Sequence, residues 1–105
     1  MRLVDLEPRW LTPDVFIFRS PVGHGYWLSC PRVRMTHNEQ WDLFEADQLR
    51  SGIGDASVIV GWKEEAVWKY DGNDFNTMTV TPSIDASASG NWHGHITHGE
   101  IVGGL

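Results

Sequence analysis

The chain has 105 residues, 41% of them hydrophobic, with 8 Lys and Arg against 14 Asp and Glu and a formal net charge of −6 at pH 7. That length suits a single domain spanning 1–105, and the acidic balance argues against general binding to the nucleic-acid backbone, which depends on Lys and Arg neutralising phosphates. A lone cysteine, Cys30, excludes both an intramolecular disulfide framework and an all-cysteine zinc site within the chain, while six tryptophans supply a large aromatic area.

Residues 1–8 carry acids and a proline where a signal peptide needs an apolar stretch, and no apolar run approaches the ~20 residues of a membrane span. A reducing cytoplasm is the expected compartment, with no membrane partner. Val15-Phe16-Ile17-Phe18 and Gly25-Tyr26-Trp27-Leu28-Ser29-Cys30 are rich in β-branched and aromatic residues and are bounded by prolines, so both are predicted strands joined by a loop over 20–25. A helix is predicted over about 37–50. Thr36 and Glu39 make a capping-box pair at its start, Trp41 and Phe44 fall on one stripe, and Asp42, Glu45 and Asp47 read as a solvated face.

Residues 57–62 and 66–70 read as a strand pair, or as a strand and an edge segment, around Lys63-Glu64-Glu65. Asp71-Gly72-Asn73 is a turn, and 75–81 alternates so that Met78 and Val80 share a face, with Pro82 ending or bulging the strand. Residues 84–90 are small and polar, hence loop. Two strands, 92–97 and 100–102, close the chain around His98-Gly99, the signature of a type I′ hairpin because both central residues need positive φ. The expected fold class is α+β: a small, mainly antiparallel β domain with one amphipathic helix.

The block over 75–84, a small-residue loop, and then Trp92-His93-Gly94-His95-Ile96-Thr97-His98-Gly99-Glu100-Ile101 resembles the ending of the domain-of-unknown-function family DUF6527. The opening, Leu3 to Trp10, is similar to that family's start. The resemblance covers roughly the first 10 and last 30 residues. It implies a setting among tailed-phage and prophage proteins, some beside bacterial ubiquitin-like conjugation genes. It also implies a zinc site built from a Cys-Pro-x-Cys-like cluster and a late Cys-x-x-His. Cys30-Pro31 and His93 stand at two of those ligand positions, but Arg32, Val33 and Arg34 occupy the next cysteine positions and Gly90 stands in place of the late cysteine. The implied site is degenerate, with Cys30 and His93 as its surviving metal ligands.

His93, His95 and His98 cluster near the end of the chain, and residues two apart on a strand point to the same face. With Cys30 or His24 they would make a His-rich zinc or nickel site; otherwise His93 caps or hydrogen-bonds within the sheet while His95 and His98 are solvent-facing polar positions. Cys30 with His93 also has the composition of a thiol nucleophile and its base, although an aromatic strand is a place to bury a thiol. Adjacent Glu64 and Glu65 would point to opposite faces of a strand, and Ser83 lacks a nucleophile-elbow context, so no catalytic residue is assigned. Trp27, Trp41 and Trp62 sit among apolar neighbours and are predicted core. Trp10, Trp68 and Trp92 have polar neighbours and are candidates for either core or interface anchors.

The leading expectation is a non-enzymatic phage or prophage accessory protein that binds another protein, with Trp92, His93, His95 and His98 as the binding residues. The acidic helix is a further contact, suited to occupying a positively charged site in countering a host defence. The alternatives are a metal-binding module or metal-dependent enzyme using the C-terminal histidines, and an accessory of a ubiquitin-like conjugation system.

Overall fold

The run from Val15 to Phe18 has no polar residue to turn toward water. In the computed structural model of the protein, which describes residues 1–22, 27–51, 59–60, 67–85 and 92–104, this run lies in a sheet covered on both faces. Strands β1 (Arg9–Thr12), β2 (Val15–Arg19), β3 (Trp27–Pro31) and β4 (Ile59–Val60) form that first sheet in this spatial order. The first three are antiparallel, and β4 runs parallel to β3. The second sheet, β5 (Lys69–Asp71), β6 (Thr79–Asp85), β7 (His93–Thr97) and β8 (Glu100–Val102), is antiparallel throughout. A single turn of 3-10 helix at Leu3–Leu6 precedes β1, and the helix α1 (His37–Ser51) follows β3. The fold is α+β and mainly antiparallel, as predicted.

Side-chain alternation divides the first sheet between two cores. Phe16 pairs with Cys30 and Phe18 with Leu28, and these four face the second sheet. There they meet Met78, Val80, Ile84, Trp92, Ile96 and Ile101, with Leu3 and Leu6 closing one end. On the opposite face, Ile17 and Trp27 pack against Phe44 of α1, flanked by Leu11 and Trp41. The layers are therefore helix, sheet, sheet. A sheet buried on both faces has no use for polar alternation, which accounts for the composition of β2.

The predicted capping box holds α1 at its start: the Glu39 amide donates to Thr36 Oγ1 at 3.1 Å, and the Thr36 amide donates to Glu39 Oε1 at 3.3 Å. The predicted faces need one correction. Asp47, read as solvated, is 3% exposed and lies 3.4 Å from Arg9 Nε of β1, and Gln40 is fully buried. Gln40, Phe44 and Asp47 follow the i, i+4, i+7 rule and face the sheet, where Ser29 Oγ donates to Gln40 Oε1 at 3.0 Å. The Ser29 bond to Gln40 and the Arg9 charge beside Asp47 offset part of the cost of burying these polar side chains.

Other boundaries also shift. Ile59–Val60 and Lys69–Asp71 belong to different sheets, so these two described segments are not paired with each other; the rest of 57–62 and Ala66 lie outside the described residues. The 75–81 strand begins later, at Thr79, because Asp74 organises a turn before it: the Asn76 amide donates to Asp74 Oδ1 at 2.8 Å, and the Met78 amide to the Asp74 carbonyl at 2.8 Å. The strand then runs on through Pro82 to Asp85, with its register against β7 shifting between Val80 and Ile84, the stretch that contains the proline. The amide of Leu3 bonds the Gly99 carbonyl at 2.8 Å, and the Ile101 amide bonds the Met1 carbonyl at 2.9 Å, so the N-terminal segment runs beside β8. His24, Trp62, Lys63, Glu64, Glu65, Gly90 and most of the 84–90 loop lie outside the described residues.

Candidate functional site

Strand β7 alternates strictly: His93, His95 and Thr97 are exposed, whereas Gly94 and Ile96 are buried. The outward face of the second sheet is thus open to water, and His93 and His95 stand side by side on it. Across the ladders, Asp85 pairs with His93 and Val102 with His95, so the face is mixed in character, with an exposed acid and an exposed aliphatic group flanking the imidazoles. His98 is exposed in the turn between β7 and β8. Its φ of 48° and the 75° of Gly99 meet the type I′ requirement, and its amide donates to Thr79 Oγ1 at 3.0 Å.

Trp92, placed with this face on sequence grounds, is not part of it. It is 1% exposed and points into the core, where its indole N–H donates to the Gly103 carbonyl at 2.7 Å and its ring meets Phe18 edge-on at 6.1 Å. Glycine makes the space: a Cβ on Gly94 would stand 2.3 Å from the Trp92 ring. Trp68 is buried as well, donating to the Ser83 carbonyl at 3.3 Å. His93 after Trp92 and Lys69 after Trp68 are the exposed, outward residues beside an inward-turned ring.

The zinc site implied by the family resemblance does not fit the residues present. Cys30 is wholly buried between the sheets, and burial pushes its thiol far above the ordinary range, so it holds its proton rather than presenting a thiolate to a metal or a substrate. His93 points the other way, into water, with the second sheet between them. The structure does not bring these two together. Among the described residues, no group of three or more His, Cys, Asp and Glu side chains could hold a metal ion.

A second feature was not legible in the sequence. Where the edge of the first sheet approaches the edge of the second, a cleft of about 520 Å³ opens between β1, Arg32 and the turn after β5. Trp10 and Tyr70 form its aromatic walls. Trp10 stacks on Phe75 at 5.1 Å and 19° and meets Phe16 and Tyr70 edge-on. The Tyr70 hydroxyl is held at the carbonyl of Cys30, and burial raises its pKa beyond the ordinary tyrosine range, with Cys30 adding to the shift. Sequence had marked Trp10 as core or anchor. Its partners Arg32 and Tyr70 lie far away along the chain, and no local pattern links the three.

Compared with known proteins, the chain matches no family model, no curated protein and no solved structure.

Proposed function

We propose that this chain is a non-enzymatic binding protein that docks on another protein through the open face of the second sheet. The carrying observation is the exposed pair His93 and His95 on one strand, on a sheet face left uncovered in a molecule whose other sheet is buried on both sides. His98 extends the same end of the sheet. The formal charge of −6 favours a basic partner, and Glu39, Asp42 and Glu45 repeat every three residues on the exposed side of α1, available to a positively charged site. The resemblance to DUF6527 at the two ends supports a phage or prophage accessory protein working in a bacterial cytoplasm, with counter-defence as one such role.

Cross-linking in host lysate followed by mass spectrometry, run in parallel on wild type and a His93→Ala/His95→Ala variant of unchanged melting temperature, tests the reading. One partner enriched by wild type and lost with the variant is the expected result. Equal recovery by both proteins, or no enriched partner, removes it. Charge reversal of Glu39, Asp42 and Glu45 then reports whether the helix joins the contact.

A further inference from the structure

We propose that the cleft between β1 and β5 is a binding site for a small molecule that joins a planar ring to an anionic group. Its volume of about 520 Å³ falls within the range of roughly 300–1,000 Å³ common to small-molecule sites. The walls suit a flat ring: Trp10 and Tyr70 both line the cleft, and each is fixed from behind, Trp10 by Phe75 and Phe16 and Tyr70 by its hydroxyl contacts. Rings already locked in place lose little freedom when a ligand packs against them.

The charge of the ligand follows from Arg32. In a protein with a net charge of −6, the one charged residue lining this cleft among the described residues is positive; the others include Leu11, Thr12 and Asn73. Arg32 is held at both ends by Asp14, its amide on the Asp14 carbonyl at 2.8 Å and its Nε on Asp14 Oδ1 at 2.7 Å. Its guanidinium lies 6.0 Å from the Tyr70 ring centroid. Nε is therefore committed, and the two Nη groups have no acceptor among the described residues. A pair of parallel N–H donors on a planar fork is the geometry that takes a carboxylate or phosphate in bidentate fashion. Asp14 positions the fork, and the aromatic walls place the ring beside it.

Aromatic carboxylates and nucleoside monophosphates share this chemistry, and four probes separate them: indole-3-acetate and adenosine monophosphate, with indole-3-acetamide and adenosine as their uncharged counterparts. Each is titrated into the intact protein by calorimetry, with tryptophan fluorescence as a second readout. Saturable binding of at least one anionic probe is expected, with its neutral counterpart weaker by about ten- to a hundredfold, the usual worth of a charged hydrogen-bonding pair. Arg32→Gln should lose a similar factor for the anionic probe and nothing for the neutral one, and Arg32→Lys should recover part of it. The proposal is overturned if neither anionic probe saturates at millimolar concentration, if charged and neutral probes bind alike, or if Arg32→Gln binds as wild type does. The comparison between probes decides the matter even if Arg32→Gln folds poorly.

Discussion

Replacing Trp92 by alanine separates two roles for the most recognisable residue of the C-terminal block. In the core it is 1% exposed and its ring contacts Phe18, so truncation removes a full buried indole and leaves a cavity between the sheets, a change that costs about 3–5 kcal/mol. Loss of its bond to the Gly103 carbonyl adds little, because Gly103 is exposed and its carbonyl can take water instead. Against a total stability of about 5–15 kcal/mol for a domain of this kind, the variant keeps half of its stability or less in the weaker cases. The melting temperature should fall by roughly 10–40 °C. Urea unfolding followed by far-UV circular dichroism measures the cost, and Trp92→Phe, which keeps a ring against Phe18, should fall between the two. A Trp92→Ala protein within about 0.5 kcal/mol of wild type, the range of ordinary surface changes, would refute the core assignment and return Trp92 to the binding face.

Gly94→Ala sets a methyl 2.3 Å from the Trp92 ring and 2.5 Å from the Val102 carbonyl, two neighbours with no room to retreat; a loss of about 1–3 kcal/mol or more is expected in the same urea assay. Thr36→Ala removes the hydroxyl that accepts the Glu39 amide and should cost about 1 kcal/mol, read from the denaturation midpoint; no change would mean that tertiary packing alone holds the start of α1. Stability should also fall in alkali. Cys30 ionises in the unfolded chain above about pH 8.5 but stays protonated when folded, so its contribution is complete below that pH and declines by about 1.4 kcal/mol per pH unit above it. Tyr70, also raised, joins from about pH 10. Urea midpoints between neutral and alkaline pH should show the earlier decline in wild type and not in Cys30→Ala; parallel profiles would contradict it.

Elements with a local determinant were legible. The Thr36 and Glu39 capping pair marks the start of α1, and His98-Gly99 marks the turn between β7 and β8, because in each the physics lies within a few residues. Strand β1 was not read, since Arg9 to Thr12 become a strand through pairing with β2 rather than through their own composition. The helix stripe misled for a related reason. Gln40 and Asp47 look solvated by residue type, and their burial is helped by Ser29 and Arg9 on the facing sheet, which no local pattern brings beside them. On β7, the alternation correctly put His93 and His95 together, but nothing in the letters shows that Trp92 turns inward over Gly94. The cleft is the extreme case, because Trp10, Arg32 and Tyr70 become neighbours only once both sheets have formed.

The backbone contacts that tie Met1 and Leu3 to Ile101 and Gly99 reverse the order of synthesis. Met1 and Leu3 find these partners only far along the chain, so this stretch can complete its hydrogen bonds only after the segment that carries Gly99 and Ile101 has been made. Closing so long a loop costs only a few kcal/mol more than closing a short one, yet contacts of this sequence separation are the ones that slow folding most. Until then Leu3 and Leu6 lack part of their eventual cover. A nascent chain built this way carries an apolar hook at Leu3 and Leu6 until β8 has been made, and β8 is what finally sets the hook.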